Sequence, residues 1–238
     1  MKKTTSILAG ALTLSSMSAS GAVLVAGWDA FSSGLTPTTP REAAGITATM
    51  VNTGWSNGSS EDRGSSSDTT WGSFDGNGTA ASAAIVGTVN LTAHNGETGN
   101  TMTITITNNS ADDLVLDAFH MDALAFRSNA SRTWTLDSGG SNIHTSAAQS
   151  ITSLGTAPNA AQDQHDEYDI SLASLATLTA GGGSVDLVMT ISGGTPGSSG
   201  HHLWVDNIAV SGDFVTIPEP SSALLALVSG AFLLRRRR

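Results

Sequence analysis

The sequence predicts an all-β protein. Its body is a two-sheet antiparallel β-sandwich, jelly-roll-like, set between an N-terminal signal peptide and a C-terminal hydrophobic helix. Three observations predict it. Short segments of the body alternate apolar and polar residues with period two, as a strand with one buried face requires. The 26 glycines, with abundant Ser and Thr, punctuate those segments at turn-like intervals, and no stretch of the body holds a long 3.6-residue apolar period. There is no cysteine, so a body of about 190 residues rests on its hydrophobic core and not on disulfides.

Residues 1–22 read as a secretory signal peptide. Lys2 and Lys3 precede an apolar stretch centred on Ile7 to Leu14, and Ser20 and Ala22 form a small-residue site for signal peptidase, giving a mature start at Val23. The sandwich domain spans 23–216. Val23 to Trp28 is the first strand, Ile46 to Val51 the second, and the polar stretch from Asn52 to Gly78 a long surface loop. Ala84 to Ala93 is a strand, and Asn100 to Thr107 sets Met102, Ile104 and Ile106 against threonines on the other face. Leu114 to Met121 is apolar on both faces, which suits an interior strand. Ser131 to Leu136, Tyr168 to Leu172 and Val185 to Ile191 follow, the last alternating cleanly. In the closing strand, His201 to Val210, Leu203 and Val205 fall on one face and Ile208 and Val210 on the other, so a bulge at Asp206-Asn207 is needed to restore one inward face. This strand, with WVDNIAVSG, looks like the last strand of carbohydrate-binding-module-like jelly rolls.

Residues 217–238 form a third unit, IPEPSSALLALVSGAFLLRRRR. Pro218 and Pro220 lack amide donors and keep the junction extended. An apolar run, Ala223 to Leu234, forms the hydrophobic helix, and Arg235 to Arg238 hold the cytoplasmic side. The fourteen residues from Ser221 to Leu234 reach about 21 Å as a helix, short of the roughly 30 Å of a hydrocarbon core, so the segment suits transient residence in a membrane. In order and composition this tail resembles the PEP-CTERM sorting signal of bacterial exported proteins. The resemblance implies recognition of Pro218, Glu219 and Pro220 by a membrane exosortase that cuts nearby. It also implies a destination at the cell surface or in extracellular material, in association with exopolysaccharide or biofilm.

The net charge is −10, but six of the ten basic residues sit in the two terminal signals. Four arginines then face nineteen acids in the exported body, a net of −15, and such a body is repelled by nucleic-acid phosphates and anionic lipid. Nucleic acid is excluded as a partner. His201 and His202 are adjacent, so as strand neighbours they point to opposite faces and do not share a metal without a bulge. Hard oxygen ligands are plentiful. No cofactor is expected; the ion the composition favours is a structural calcium, with Asp29 after the first strand and Asp206 and Asn207 in the last as the first residues to test. Trp55 and Trp71, in the polar loop, are the candidate exposed platforms for stacking on sugars, whereas Trp28, Trp134 and Trp204 lie in strand patterns and are assigned to the core. No G-x-S-x-G elbow and no Ser/His/Asp set stands out, and no carboxylate pair is singled out by its spacing. The first expectation is therefore a non-enzymatic exported protein that passes through the cell envelope to the surface. A carbohydrate-binding module using Trp55 and Trp71 is the second, and a glycoside hydrolase the third.

Overall fold

The computed structural model describes residues 21–29, 40–53, 55–57, 66, 70–74, 91–94, 100–155, 164–194 and 202–216. The expected signal peptide up to Ser20, the Ala84–Asn90 part of an expected strand, His201 and the residues 217–238 with Pro218, Glu219 and Pro220 lie outside them. No helix among the described residues is long and apolar enough to cross a membrane. The described elements are strands: β1 (Val23–Trp28), β2 (Arg41–Glu42), β3 (Ile46–Thr53), β4 (Ser56–Asn57), β5 (Leu91–His94), β6 (Asn100–Asn108), β7 (Asp113–Ala125), β8 (Thr133–Ser138), β9 (Ser141–Thr145), β10 (Asp166–Ser171), β11 (Gly183–Ser192) and β12 (His202–Val215).

They form two antiparallel sheets. One runs β3-β6-β11-β8-β9; the other runs β10-β7-β12-β1-β2, with β5 on β12 and β4 on β5. Strand β12 is the spine of the second sheet. It lies along β7 from Leu203 to Val215 on one side, and on the other meets β5 with its first half and β1 with its second. The inner faces of both sheets join in one core. Met102, Ile104, Ile106, Leu136, Leu187 and Met189 from the first sheet close on Trp28, Phe119, Met121, Val205, Ile208 and Val210 from the second. Period-two alternation makes this possible in β6, where every second residue is buried, and in β11 from Leu187 to Ile191.

Three one-residue slips shape the second sheet. Between Asp206 and Ala209, β12 spends three steps while β7 spends two from Asp122 to His120, so the bulge expected at Asp206-Asn207 is present, with Asn207 at φ 47°. Leu203, Val205, Ile208 and Val210 consequently all reach the core. A second slip adds Asp117 to β7 between Leu116 and Ala118, which moves the inward parity from Leu114 and Leu116 to Phe119 and Met121. A third adds Val25 to β1. From Phe119 to Ala125 strand β7 is buried on both faces, as the apolar content of both its faces suggested. The hairpin β8–β9 was not anticipated. Its two-residue turn places Gly139 and Gly140 at φ 55° and 78°, the pair of positive φ values a tight type I′ connection demands.

Candidate functional site

The outward face of the β7-β12-β1 region carries polar side chains that solvent does not reach. By alternation Gly27 of β1 and Asp29 just after it, Asp206 and Ser211 of β12 and His120 and Asp122 of β7 point away from the sandwich core. Yet Asp29 is 7% exposed, His120 4%, and Asp122, Asp206 and Ser211 0%. A segment of the long polar loop covers them. Trp71 and Phe74 exchange backbone hydrogen bonds at 2.9 Å across a tight turn. Gly72 sits in that turn at φ 51°, where a Cβ would lie 2.8 Å from Asp169 Oδ1 and from the Tyr168 carbonyl oxygen. The Trp71 indole packs on Gly27, Leu24 and Ala209, and the Phe74 ring stacks on the His120 imidazole at 4.9 Å.

This corrects the sequence expectation for the tryptophans. Trp55 is 4% exposed within the main core and Trp71 is 1% exposed against the outer sheet face, so neither offers a ring to a sugar. Trp28 and Trp134 are core residues as assigned. Trp204 is also buried, but on the outer face beside Phe126, with ring centroids 6.1 Å apart.

Two polar constellations lie under the cover. In the first, His120 Nδ1 is 2.6 Å from Asp169 Oδ1 and His120 Nε2 is 2.9 Å from Ser211 Oγ. A carboxylate accepts only, so Nδ1–H donates to Asp169 and Nε2 is left to accept from the serine hydroxyl. Burial holds the His120 pKa below its ordinary value, against the opposing pull of Asp169 and Asp117. Asp169 also accepts from Ser73 Oγ at 2.5 Å, which ties the covering turn to β10. The set has the order of a serine, base and orienting acid, and sequence spacing did not reveal it because β7, β10 and β12 contribute one member each. Its serine has no exposed surface. What the arrangement does chemically as placed is pin the cover to three strands.

The second constellation contains the predicted calcium candidates, and the fold does bring them together. The pairing of Trp28 with Ile208 sets Asp29 beside Asn207. Asp206 stands directly across from Asp122 in the β12–β7 ladder. Asp206 Oδ2 accepts from the Ser66 amide at 2.9 Å, whereas its Oδ1 is buried with no hydrogen-bond partner. Asn207 Nδ2 donates to Asp122 Oδ2 at 2.8 Å, and Asp29 pairs with Arg41 Nη2 at 2.7 Å. Burial pushes the Asp206 pKa up to about 7, with the Asp29 charge adding to the rise and amides of Ser66 and Asn207 opposing it. Among the described residues no three His, Asp or Glu side chains already converge as a metal-holding group.

The other sheet presents a contrasting outer surface. Its register aligns Thr53, Thr101, Thr190, Thr135 and Thr145 in one row across all five strands. A parallel row joins Thr49, Thr105 and Asp186, and Val51 stands 61% exposed on the same face.

The domain is thus an all-β protein of two antiparallel sheets with a covered outer face. No protein-family model matches the sequence, and no curated protein matches it. Among solved structures it is similar to a PA14 sugar-binding domain from RTX adhesin, at 11% identity and a TM-score of 0.21 over 82% of this chain and 99% of that one. A likeness at that score carries no functional argument.

Proposed function

We propose that the chain is an exported, non-enzymatic protein of the cell surface or extracellular matrix, sorted through its PEP-CTERM-like tail by an exosortase. The observation that carries this is the uninterrupted order of Pro218-Glu219-Pro220, apolar run and four arginines at 217–238. The fold is compatible with it in a specific way. Val23 pairs with Gly212, three residues before the end of β12 at Val215, so the start of the domain and its exit toward the tail leave the sheet at one end. Both terminal signals then reach the same membrane without the domain having to span between them.

Intact-mass analysis of protein recovered from cells with and without the exosortase tests the reading. Loss of the first 22 residues is expected in both, and loss or replacement of the arginine end only where the exosortase is present. An unchanged C-terminus in both strains refutes it in favour of a plain anchor. The surface this reading offers to matrix polysaccharide is the threonine face, a broad hydroxyl-bearing sheet with few charges. Binding of the host's exopolysaccharide should fall in a Thr101→Glu, Thr190→Glu double variant, which places two charges in the middle of the five-threonine row.

A further inference from the structure

Hydrogen bonding divides the threonine face into two parts. Thr105 Oγ1 donates to Asp186 Oδ1 at 2.6 Å, Thr107 Oγ1 lies 3.1 Å from Ser184 Oγ, and Thr135 Oγ1 donates to Asp137 Oδ2 at 3.0 Å. No such bond joins the hydroxyls of Thr53, Thr101, Thr103 and Thr190 to other described residues. These four occupy two adjoining register lines across β3, β6 and β11. Thr53, Thr101 and Thr190 form the first line, and Val51, Thr103 and Val188 the second. The patch is therefore uncharged, with a row of hydroxyls beside a row that ends in two valines.

We propose that this patch binds an extended, uncharged β-1,4-linked polysaccharide chain laid across the three strands. The inference rests on the reading of the chain as a matrix protein and names the polymer class its threonine face takes. A sugar ring carries hydroxyls on its rim and C–H groups on its faces. The threonine row matches the rim, because each hydroxyl both donates and accepts. Val51, 61% exposed, and Val188 match the C–H face, which gains by leaving water. Neighbouring strands stand about 4.8 Å apart, so the lines repeat at nearly the length of one sugar in an extended chain. Linkage β-1,4 keeps such a chain a straight ribbon. Charge sets the remaining choice. Asp137 stands across from Val188 and Asp186 across from Thr105, so the charges beside the patch are acidic and repel uronate or sulfated chains.

The test is affinity electrophoresis of the full-length protein, in non-ionic detergent, through native gels cast with hydroxyethylcellulose or carboxymethylcellulose. The two polymers share a β-1,4-glucan backbone and differ in charge. Hydroxyethylcellulose should bind roughly tenfold more tightly than carboxymethylcellulose. A Thr101→Val, Thr190→Val double variant keeps the branched shape and strand preference of the face, so it stays folded by circular dichroism. Without its two hydroxyls it should bind the neutral polymer about tenfold more weakly. A Thr105→Val, Thr107→Val double variant, whose hydroxyls are already engaged within the sheet, should bind within about twofold of wild type. No retardation by hydroxyethylcellulose, or equal loss in both double variants, overturns the site, as does undiminished binding by Thr101→Val, Thr190→Val. Equal binding of carboxymethylcellulose overturns the choice of an uncharged chain. The assay involves no exosortase, so a tail left uncut in cells refutes the sorting reading without altering this result.

Discussion

Gly27 is the position at which the covering loop meets the sheet most closely, and replacing it with alanine measures that contact. A Cβ built there lies 2.8, 2.9 and 3.1 Å from Cη2, Cζ3 and Cζ2 of Trp71. Carbon atoms prefer separations of about 3.5 Å or more, so the indole has to retreat by roughly 0.7 Å. The retreat is resisted, because Trp71 is 1% exposed and the Arg41 guanidinium lies 5.9 Å from its ring centroid. Overpacking of this kind costs about 1–3 kcal/mol. Trp71→Ala, which empties the space, costs about 3–5 kcal/mol by the usual scale for a buried large-to-small change. The two costs are not independent. With the indole gone, the added methyl group meets no clash, and alanine suits a strand better than glycine. Gly27→Ala should therefore cost under about 0.5 kcal/mol in the Trp71→Ala background. Urea unfolding of the four members of this cycle, read by circular dichroism, should give a coupling of about 1–3 kcal/mol. Additive costs, within about 0.5 kcal/mol, would show that Trp71 does not rest on Gly27.

Two further outcomes follow from the packing. Trp134, fully buried between Phe119, His144 and Tyr168, should cost about 3–5 kcal/mol as Trp134→Ala in the same urea assay, with the m-value unchanged. His120 should make the protein acid-sensitive. Burial lowers its native pKa below the ordinary 6.5, so as pH falls from 6.5 the unfolded chain takes up the proton first and stability is lost, by at most about 1.4 kcal/mol per pH unit for this one group. His144, also lowered by burial, acts in the same direction, so His120→Gln should reduce the loss between neutral pH and about pH 5.5 without abolishing it. Equal losses in variant and wild type would mean that the imidazole is not held neutral under Phe74.

The parts of the fold that were legible in the sequence are those dictated by local alternation. Met102, Ile104 and Ile106 against threonines left β6 a single way to face, and the parity break between Val205 and Ile208 demanded the bulge that β12 contains. What escaped was long-range. The loop carrying Trp55 and Trp71 is polar on average, and average polarity predicts exposure. The fate of each indole is instead decided by what receives it, the main core for one and the bare backbone of Gly27 for the other. Strand β9 has no alternation of its own and exists because two glycines fold it back on β8. The His120, Asp169 and Ser211 network joins residues 49 and 91 positions apart, a separation that no spacing motif encodes. One long-range relation was legible: first and last strands often neighbour in sandwiches, and here β1 pairs with β12, with Trp28 across from Ile208.

That pairing has a mechanical consequence. Asp29 and Asp206 lie at one end of the β1–β12 pair, while Val23 and Val215 lie at the other, about 20 Å away along β1 at 3.3 Å per residue. The strand that leads toward the tail therefore also carries Asp206, within its length. Strand β12 is not an edge. It is bonded to β7 on one side and to β1 and β5 on the other, so a pull on the tail shears two ladders together and cannot peel the strand away bond by bond.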